Sequence, residues 1–324
     1  MTLNTTSYAA DLDAIRAAYD RVSPHIHRTP IHTCGALDTL AGRQLFFKCE
    51  NLQKVGAFKM RGALNAVLLL PAASAAKGVV THSSGNFAQA LSLAARMRGI
   101  PAYIVMPSNA PAVKQAAVMG YGGQITLCEP TLEAREATAE RIRNDTGATL
   151  LHPFDHPDVI AGQGTVALEI FEQEPSLDAL VVPVGGGGLV SGIALAYREL
   201  APEIPVLAAE PTGADDAARS KASGTWIKQN APNTVADGLL TSLGEWTWPV
   251  IRDVVTEILV TEDDAIIAAM RLIWERMKLV VEPSAAVPLA ACLDPSFQAR
   301  QGLKRVGILL SGGNVDLSRL PFHL

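Results

Sequence analysis

Four consecutive glycines at positions 185–188 lie between an apolar segment and a segment of helical periodicity. The apolar segment 179–184 is rich in valine, which predicts a buried strand. Residues without Cβ let successive backbone N–H groups converge on one anion, and a helix N-terminus favours negative charge. The feature therefore predicts a phosphate-binding loop in an α/β fold, with a flexible connector as the simpler alternative. It matches GxGxxG only loosely and lacks GxxxxGK[ST], so the nature of the phosphate stays open.

Short apolar segments alternate with longer helical ones along the whole chain, which is typical of βαβ units around buried parallel sheets. A length of 324 residues suggests two domains, but no linker-like composition marks a boundary. We therefore predict a small domain at 78–151 inserted into a large domain made of 1–77 and 152–324. Besides 179–184, the predicted strands are 45–48, 78–81, 102–106, 124–128, 206–210, 257–260 and 306–310.

The amino-acid composition limits the classes of molecule that the protein is expected to bind. Lys plus Arg number 27 and Asp plus Glu number 32, for a net charge of −5, so no attraction to nucleic acid is expected. The four cysteines form no CxxC pair, which disfavours a zinc site or a disulfide framework and is compatible with a reducing cytoplasm. No apolar run reaches the roughly 18 residues of a membrane span, and we expect neither export nor membrane insertion.

Lys59 follows Phe58 and begins a segment whose Leu64 and Val67 recur on one helical face. An amine held at a helix N-terminus beside apolar groups has a lowered pKa and is nucleophilic. The residues alone favour the simpler alternative, a solvated surface lysine.

Two more polar loops follow predicted strands. The loop 83–86 offers hydroxyls, an amide and free N–H groups that suit a carboxylate, although Ser and Asn also cap helices. The turn 311–314 ends the last strand. An amine, a phosphate loop, a carboxylate loop and a polar residue at a strand end are the parts that pyridoxal phosphate (PLP) needs.

These motifs resemble those of the fold type II PLP enzymes, and within them the serine racemase and threonine/serine dehydratase family, over essentially the whole chain. The resemblance implies an α/β fold like that of the tryptophan synthase β subunit, with two open twisted sheets, flanking helices, a large domain and a smaller inserted one. The matching segments are Phe58-Lys59-Met60-Arg61-Gly62-Ala63, Ser83-Ser84-Gly85-Asn86, Gly185 to Leu189 and Ser311-Gly312-Gly313-Asn314.

The same resemblance implies a role for each matched residue. Lys59 binds the cofactor aldehyde covalently and acts as the catalytic base, and Phe58 packs on the ring. Asn86 binds the ring oxygen, Ser311 faces the ring nitrogen and Glu282 lies beside the cofactor. The phosphate is held by Gly185, Gly186, Gly187, Gly188 and Leu189. The substrate is contacted by Ser83, Ser84, Gly85, Asn86, Phe87 and Arg135, with Ser84 as a second catalytic group on the opposite face.

Further sites follow from the resemblance. Glu210, the Ala214 carbonyl and Asp216 match a divalent-cation site that suits Mg²⁺ or Ca²⁺, with an acidic helix start as the alternative. A nucleotide effector is implied near Gln89, Lys114 and Tyr121, and a homodimer is expected. His152 and His156 are interrupted by Pro153, which weighs against a zinc pair on a helix.

The implied activity is elimination of water from a β-hydroxy amino acid of the L-threonine or L-serine type, giving a 2-oxo acid and ammonia. Phe87 stands where the family usually has His, and Phe154 where animal serine racemases have Asn; Phe154 favours dehydration. Arg135 favours an acidic substrate, with a solvated arginine as the alternative. Open alternatives are a serine racemase, a 3-hydroxyaspartate or hydroxyectoine-pathway dehydratase, and a non-catalytic nucleotide- or phosphate-binding regulator.

Overall fold

The computed structural model describes residues 8–83, 85–229 and 231–321. All eight predicted strands are present, with bounds that differ by one residue or so. Sequence patterns missed β1 and β6, because two-residue strands carry no periodicity. The strands in these ranges are β1 (Ile31–His32), β2 (Gln44–Cys49), β3 (Val79–Thr81), β4 (Ala102–Pro107), β5 (Gln124–Cys128), β6 (Thr149–Leu150), β7 (Ala179–Pro183), β8 (Val206–Pro211), β9 (Glu257–Thr261) and β10 (Arg305–Leu310).

The helices begin and end at recognisable signals. The Asp11 carboxylate accepts a hydrogen bond from the Ala14 N–H, and Gly147 ends a helix in the left-handed region, with φ of 71°. The helices are α1 (Leu12–Val22), α2 (Gly35–Ala41), α3 (Lys59–Leu69), α4 (Ala72–Ala75), α5 (Asn86–Arg98), α6 (Ala112–Gly120), α7 (Leu132–Thr146), α8 (Pro157–Gln173), α9 (Gly188–Leu200), α10 (Asp216–Ser223), α11 (Trp248–Asp253), α12 (Asp263–Leu272), α13 (Pro283–Leu293) and α14 (Pro295–Gln298).

The strands form two sheets. One has six strands in the order β1-β2-β10-β7-β8-β9, parallel except for the β1–β2 pair. The other has four parallel strands in the order β5-β4-β3-β6. This confirms the predicted α/β class with two sheets. The four-stranded sheet comes entirely from within the range 78–151, but the proposed domain boundaries themselves stay a prediction.

Both faces of the six-stranded sheet are buried. Leu180 and Val182 pack into one apolar cluster, whereas Ala179 and Val181 pack into another on the opposite face. This explains why β7 is apolar at every position rather than alternating. No helix in the described ranges is long and apolar enough to cross a membrane.

Strand register determines where the loops meet. In β10, Val306 pairs with Leu45 of β2 and with Ala179 of β7, so the three strands run parallel and in step. The segments that follow them therefore leave from the same edge of the sheet, where ligands of open α/β sheets bind.

Candidate active site

The glycine loop after β7 packs closely against two other segments of the chain. A Cβ added at Gly186 would lie 2.4 Å from the Phe154 ring, and one at Gly185 would lie 2.8 Å from the Leu239 Cα. Gly187, with φ of 86°, caps the N-terminus of α9. The loop therefore admits only glycine, and its N–H groups gather at the positive end of a thirteen-residue helix.

Lys59 is the first residue of α3, and its amine lies among aromatic rings. Its Nζ donates to the Pro153 carbonyl at 2.9 Å. It lies 5.0 Å from the ring centroid of Phe58 and 5.9 Å from those of Phe87 and Phe154. Burial lowers the pKa of Lys59 to about 8, and Glu282 only partly opposes the shift. The Lys59 amine is therefore partly buried among aromatic rings, and it is not the solvated surface lysine that the residues alone favoured.

A chain of side-chain hydrogen bonds connects three elements near this amine. Asn86, the first residue of α5, donates from Nδ2 to Glu282 Oε1 at 2.9 Å. Asn314 donates to Asn86 Oδ1 at 2.8 Å and to the Val55 carbonyl at 2.7 Å. Sequence reasoning gave Asn314 no role, although it belongs to the polar turn after β10. These hydrogen bonds fix the orientations of the Glu282 carboxylate and of the Asn86 and Asn314 side-chain amides.

Glu282 precedes α13 and is almost wholly buried. Burial, with the charge of Asp237 next, raises the pKa of Glu282 to about 7. A Cβ at Gly312 would lie 2.7 Å from Glu282 Oε1. The Phe58 N–H donates to the Ser311 carbonyl at 3.1 Å, so the turn after β10 contacts the residue before Lys59.

The predicted substrate loop follows β3. Ser83 Oγ accepts from the Gly85 N–H at 3.4 Å, and Phe87 is buried with its ring facing Lys59. Ser84, the predicted second catalytic group, lies outside the described residues. Arg135, on α7, is partly exposed and close enough to His82 to influence its pKa, which is lowered chiefly by burial.

Sequence reasoning singled out Phe154 of the turn 152–155 but gave no role to the other residues of this turn. His152 Nδ1 accepts from the Asp155 N–H at 2.9 Å, and its ring stacks edge-on against Phe154 at 4.5 Å. Burial lowers the pKa of His152 to about 3, so the ring is neutral and its proton is on Nε2. His156 Nδ1 instead accepts from the Asp158 N–H at the start of α8. Each histidine therefore caps its own turn.

The predicted cation site lies at the end of β8. Glu210 Oε1 accepts from the Ala218 N–H at 2.6 Å, and Asp216 Oδ2 from the Leu243 N–H at 3.2 Å. Burial raises the pKa of Glu210 to about 8 and that of Asp216 to about 6. Within the described ranges, no three His, Cys, Asp or Glu side chains form a metal-binding group. Two buried carboxylates and one carbonyl are hard oxygen donors, and their chemistry fits Mg²⁺ or Ca²⁺.

Of the three residues predicted to contact a nucleotide, Lys114 and Tyr121 have protein partners and Gln89 is buried. Lys114 forms an ion pair with Asp237 at 2.7 Å. Arg96 lies 5.9 Å from the Tyr121 ring centroid, and Gln89 is buried on α5. A nucleotide at these positions stays a prediction.

Side-chain contacts connect the predicted site loops. Phe154 connects the glycine loop to Lys59, since its ring packs on Gly186 and lies near Nζ. Asn86, Glu282 and the turn after β10 form the facing wall. A site with an amine of lowered pKa, an anion-binding loop and amide donors suits a phosphorylated aldehyde. These residues therefore fit PLP.

Comparison with known proteins identifies the family. The model of the family described as "Pyridoxal-phosphate dependent enzyme" matches residues 22–312. The chain is 53% identical to a serine racemase of Arabidopsis thaliana over 323 residues, covering 99% of this chain and 98% of that protein. It is 52% identical to a beta-hydroxyaspartate dehydratase of Paracoccus denitrificans over 316 residues, 98% of this chain and 100% of that protein.

A solved structure of maize serine racemase superposes with a TM-score of 0.95 at 50% identity, over 96% of this chain and 95% of that one. Sequence motifs, sheet topology and these likenesses agree across nearly the full length. The chain belongs to the pyridoxal-phosphate dependent enzymes of fold type II, in the serine racemase and dehydratase family.

Proposed function

We propose that this protein is a PLP-dependent dehydratase that removes water from a β-hydroxy amino acid of the L-serine or L-threonine type, leaving a 2-oxo acid and ammonia. The observation that carries the proposal is the environment of Lys59. Its amine has a carbonyl as hydrogen-bond partner, three aromatic rings around it and a pKa of about 8. Such an amine is available in its neutral form near physiological pH.

The residues around the cleft divide the work of binding PLP. We assign the phosphate to the N–H groups of the glycine loop and Leu189, the ring oxygen to Asn86 and the ring nitrogen to Ser311. Phe58 packs on the ring, and Glu282 orients Asn86 through the 2.9 Å hydrogen bond. When bound, PLP supplies an electron sink that makes the α-hydrogen of an amino acid acidic.

Proton transfer is the part that this chain's own residues perform. Lys59 Nζ accepts the α-proton, because a neutral amine is the strongest base facing the cleft. The resulting ammonium is destabilised by its apolar surroundings, which favours passing a proton on to the departing β-hydroxyl. His152 is neutral and donates only from Nε2. The aromatic side chains shield Nζ in part from water.

Two residues support elimination over racemisation. Racemisation needs a second acid on the opposite face, the role that we assign to Ser84. Phe87 and Phe154 place apolar rings near the amine, at positions where the family usually has His and where animal serine racemases have Asn, respectively. We therefore expect elimination to dominate and serine racemisation to be the second activity.

Substrate charge is a separate question. Arg135 lies near His82, at the end of β3, and supplies a cation on the side of the cleft formed by the four-stranded sheet. The relative from Paracoccus denitrificans is named for β-hydroxyaspartate. We propose 3-hydroxyaspartate as an alternative substrate, with Arg135 binding its second carboxylate.

Four further assignments complete the proposal. Glu210, Asp216 and the Ala214 carbonyl hold Mg²⁺ or Ca²⁺, and a nucleotide effector binds near Gln89, Lys114 and Tyr121. The protein acts as a homodimer in the cytoplasm, and its partner is a small amino-acid substrate rather than nucleic acid or membrane.

A substrate panel tests the reaction. Purified protein reconstituted with PLP is given L- and D-serine, L-threonine and both 3-hydroxyaspartate diastereomers, with and without Mg²⁺, and is scored for 2-oxo acid and for enantiomer. We expect 2-oxo acid to form faster than the opposite enantiomer. D-Serine forming faster than pyruvate from L-serine would identify a racemase. Protein that stays colourless with PLP yet binds nucleotide would favour a non-catalytic regulator.

A further inference from the structure

Two chain segments enclose the glycine loop. The turn 152–155 covers it from one side, with Phe154 against both Gly186 and Gly188. The segment 239–247 covers it from the other, where a Cβ at Gly187 would lie 2.9 Å from the Thr247 Cβ. The loop has no side chains of its own, so these segments must determine its conformation.

Thr247 makes the polar contact between the second segment and the loop. Its side chain is fully buried, and Oγ1 donates to the Gly186 carbonyl at 2.8 Å. The same oxygen accepts from the Gly244 N–H at 2.8 Å. In a trans peptide the C=O and the following N–H point in opposite directions. By holding the Gly186 carbonyl, Thr247 therefore directs the Gly187 N–H away from itself, to the other side of the loop.

Asp155 holds the segment that carries Thr247. Its Oδ1 accepts from the Trp246 N–H at 2.8 Å and its Oδ2 from the Glu245 N–H at 2.9 Å. Gly244 packs so closely on this carboxylate that a Cβ there would lie 2.1 Å from Cγ. Asp155 thus joins the two segments, and it belongs to the turn whose Pro153 carbonyl accepts from Lys59.

We propose that Thr247 and Asp155 are positioning residues that hold the glycine loop in its anion-binding conformation and so determine how tightly the protein binds the cofactor phosphate. The inference rests on the proposed role of that loop. Neither side chain needs to contact the phosphate, because each acts through a backbone group of the loop or of the segment beside it.

The test compares Thr247→Val, which keeps the shape and removes the hydroxyl, with Thr247→Ser, which keeps the hydroxyl. Ser92→Ala is the matched control, since Ser92 is a buried hydroxyl that donates to the Ala88 carbonyl at 2.8 Å, away from the loop. Three quantities are measured: the PLP dissociation constant of the apoprotein, its dissociation constant for inorganic phosphate, and the ³¹P NMR shift of bound PLP.

We expect Thr247→Val to weaken binding of both ligands about tenfold and to move the ³¹P resonance. Thr247→Ser and Ser92→Ala should stay within about threefold of the parent protein, with an unchanged resonance. Asp155→Asn, which removes the charge at constant size, should shift the same quantities in the same direction and serves if Thr247→Val does not fold.

The proposal is overturned if Thr247→Val binds both ligands as the parent protein does and its ³¹P resonance is unchanged. The same result in Asp155→Asn decides the matter if only that variant folds. A loss of stability as large as that of Ser92→Ala does not change this conclusion. Failure of the proposed function looks different. If the parent protein binds phosphate but takes up no PLP, the proposed enzyme function is wrong. The positioning role is then decided by the dissociation constants of the variants for inorganic phosphate. Parent protein that binds neither ligand overturns both.

Discussion

Two lysines, Lys48 and Lys59, show what separates a structural charge from a reactive one in this fold. Lys48 Nζ donates to Glu169 at 2.6 Å, to the Thr29 carbonyl at 2.7 Å and to Gln173 at 2.9 Å. Lys59 Nζ donates to one carbonyl, and no Asp or Glu of the described ranges forms an ion pair with it. Burial lowers the pKa of both amines, but only Lys48 has a carboxylate within hydrogen-bond distance to compensate, whereas Glu282 acts on Lys59 without a hydrogen bond.

The carboxylates differ in the same way. Arg61, two residues after Lys59, binds Glu50 and Glu169 at 2.8 Å each, and all three side chains are buried. Burial alone would raise the pKa of Glu50, but the guanidinium holds it below its usual range. Glu282 has an amide as its partner instead, and its pKa rises. In the cluster of Arg61, Glu50 and Glu169 the opposite charges neutralise one another and anchor α3. Glu282 forms no such ion pair with any residue that the structure describes, so its charge stays available for chemistry.

The largest expected effect comes from exchanging the two lysines for neutral residues. Lys59→Ala should lower kcat/KM for elimination more than about 10³-fold, because the base is lost, with little change in the free energy of unfolding. Lys48→Met should do the reverse, lowering stability while kcat stays within about threefold. Steady-state kinetics and urea denaturation of both variants check this. Equal losses of activity in both variants would contradict a catalytic role for Lys59 and a structural role for Lys48.

Next in size is the cost of disrupting the cluster around Arg61. Arg61→Met removes the guanidinium from two buried carboxylates and leaves Lys48, paired with Glu169, as the cation beside them. We expect it to lower the free energy of unfolding by about 3–5 kcal/mol. Arg28→Met removes an exposed ion pair of similar length, 2.7 Å to Glu172, and should cost about 0–1 kcal/mol. A small effect for Arg61→Met in urea denaturation would show that the carboxylates become protonated at little cost.

The pH dependence of cofactor capture sharpens the comparison further. Since a protonated amine cannot attack an aldehyde, the rate of covalent PLP uptake by apoprotein should rise about tenfold per pH unit below about 8 and level off above it. Borohydride reduction followed by peptide mapping gives the rate at Lys59. A rate that keeps rising towards pH 10.5, the ordinary lysine value, would contradict the lowered pKa.

A smaller effect on the free energy of unfolding is expected at Glu282. Because its folded pKa is raised to about 7 from 4.5, it keeps a proton that the unfolded chain loses, so its contribution to stability is lost as pH rises through 7. Apoprotein carrying Glu282→Gln should match the parent within about 0.5 kcal/mol at pH 4.5 and be more stable by about 3 kcal/mol at pH 7.5.

A carboxylate of opposite behaviour is the control for this measurement. The pKa of Glu257 is lowered by its hydrogen bond to Arg300, so its contribution is present at neutral pH and lost in acid. Glu257→Gln should therefore be less stable than the parent at pH 7.5, with the difference shrinking as pH falls. Urea denaturation across this pH range that gave the same sign for both variants would contradict the assignment.

Much of the architecture was predictable from local patterns. β7 and the loop after it were recognisable because valine-rich strands and glycine runs are encoded by neighbouring residues. Lys59, Asn86, Glu282 and Ser311 were predicted from motifs that the resemblance made specific, and so was a role for Phe154. The two-residue strands and the contacts of His152 and Asp155 were not predicted, because nothing in their local sequence distinguishes them from other turns.

Local sequence was enough to predict the order of strands and helices and the glycine loop, since each depends on residues close together in the chain, and the family resemblance added the candidate base. Which charges are neutralised and which stay unpaired depended on the three-dimensional fold. Arg61 meets a carboxylate 108 positions away, Asp155 reaches backbone N–H groups 90 and 91 positions away, and Lys59 meets none. Electrostatic energy depends on distance and burial in space, so local sequence carries little information about these pairings.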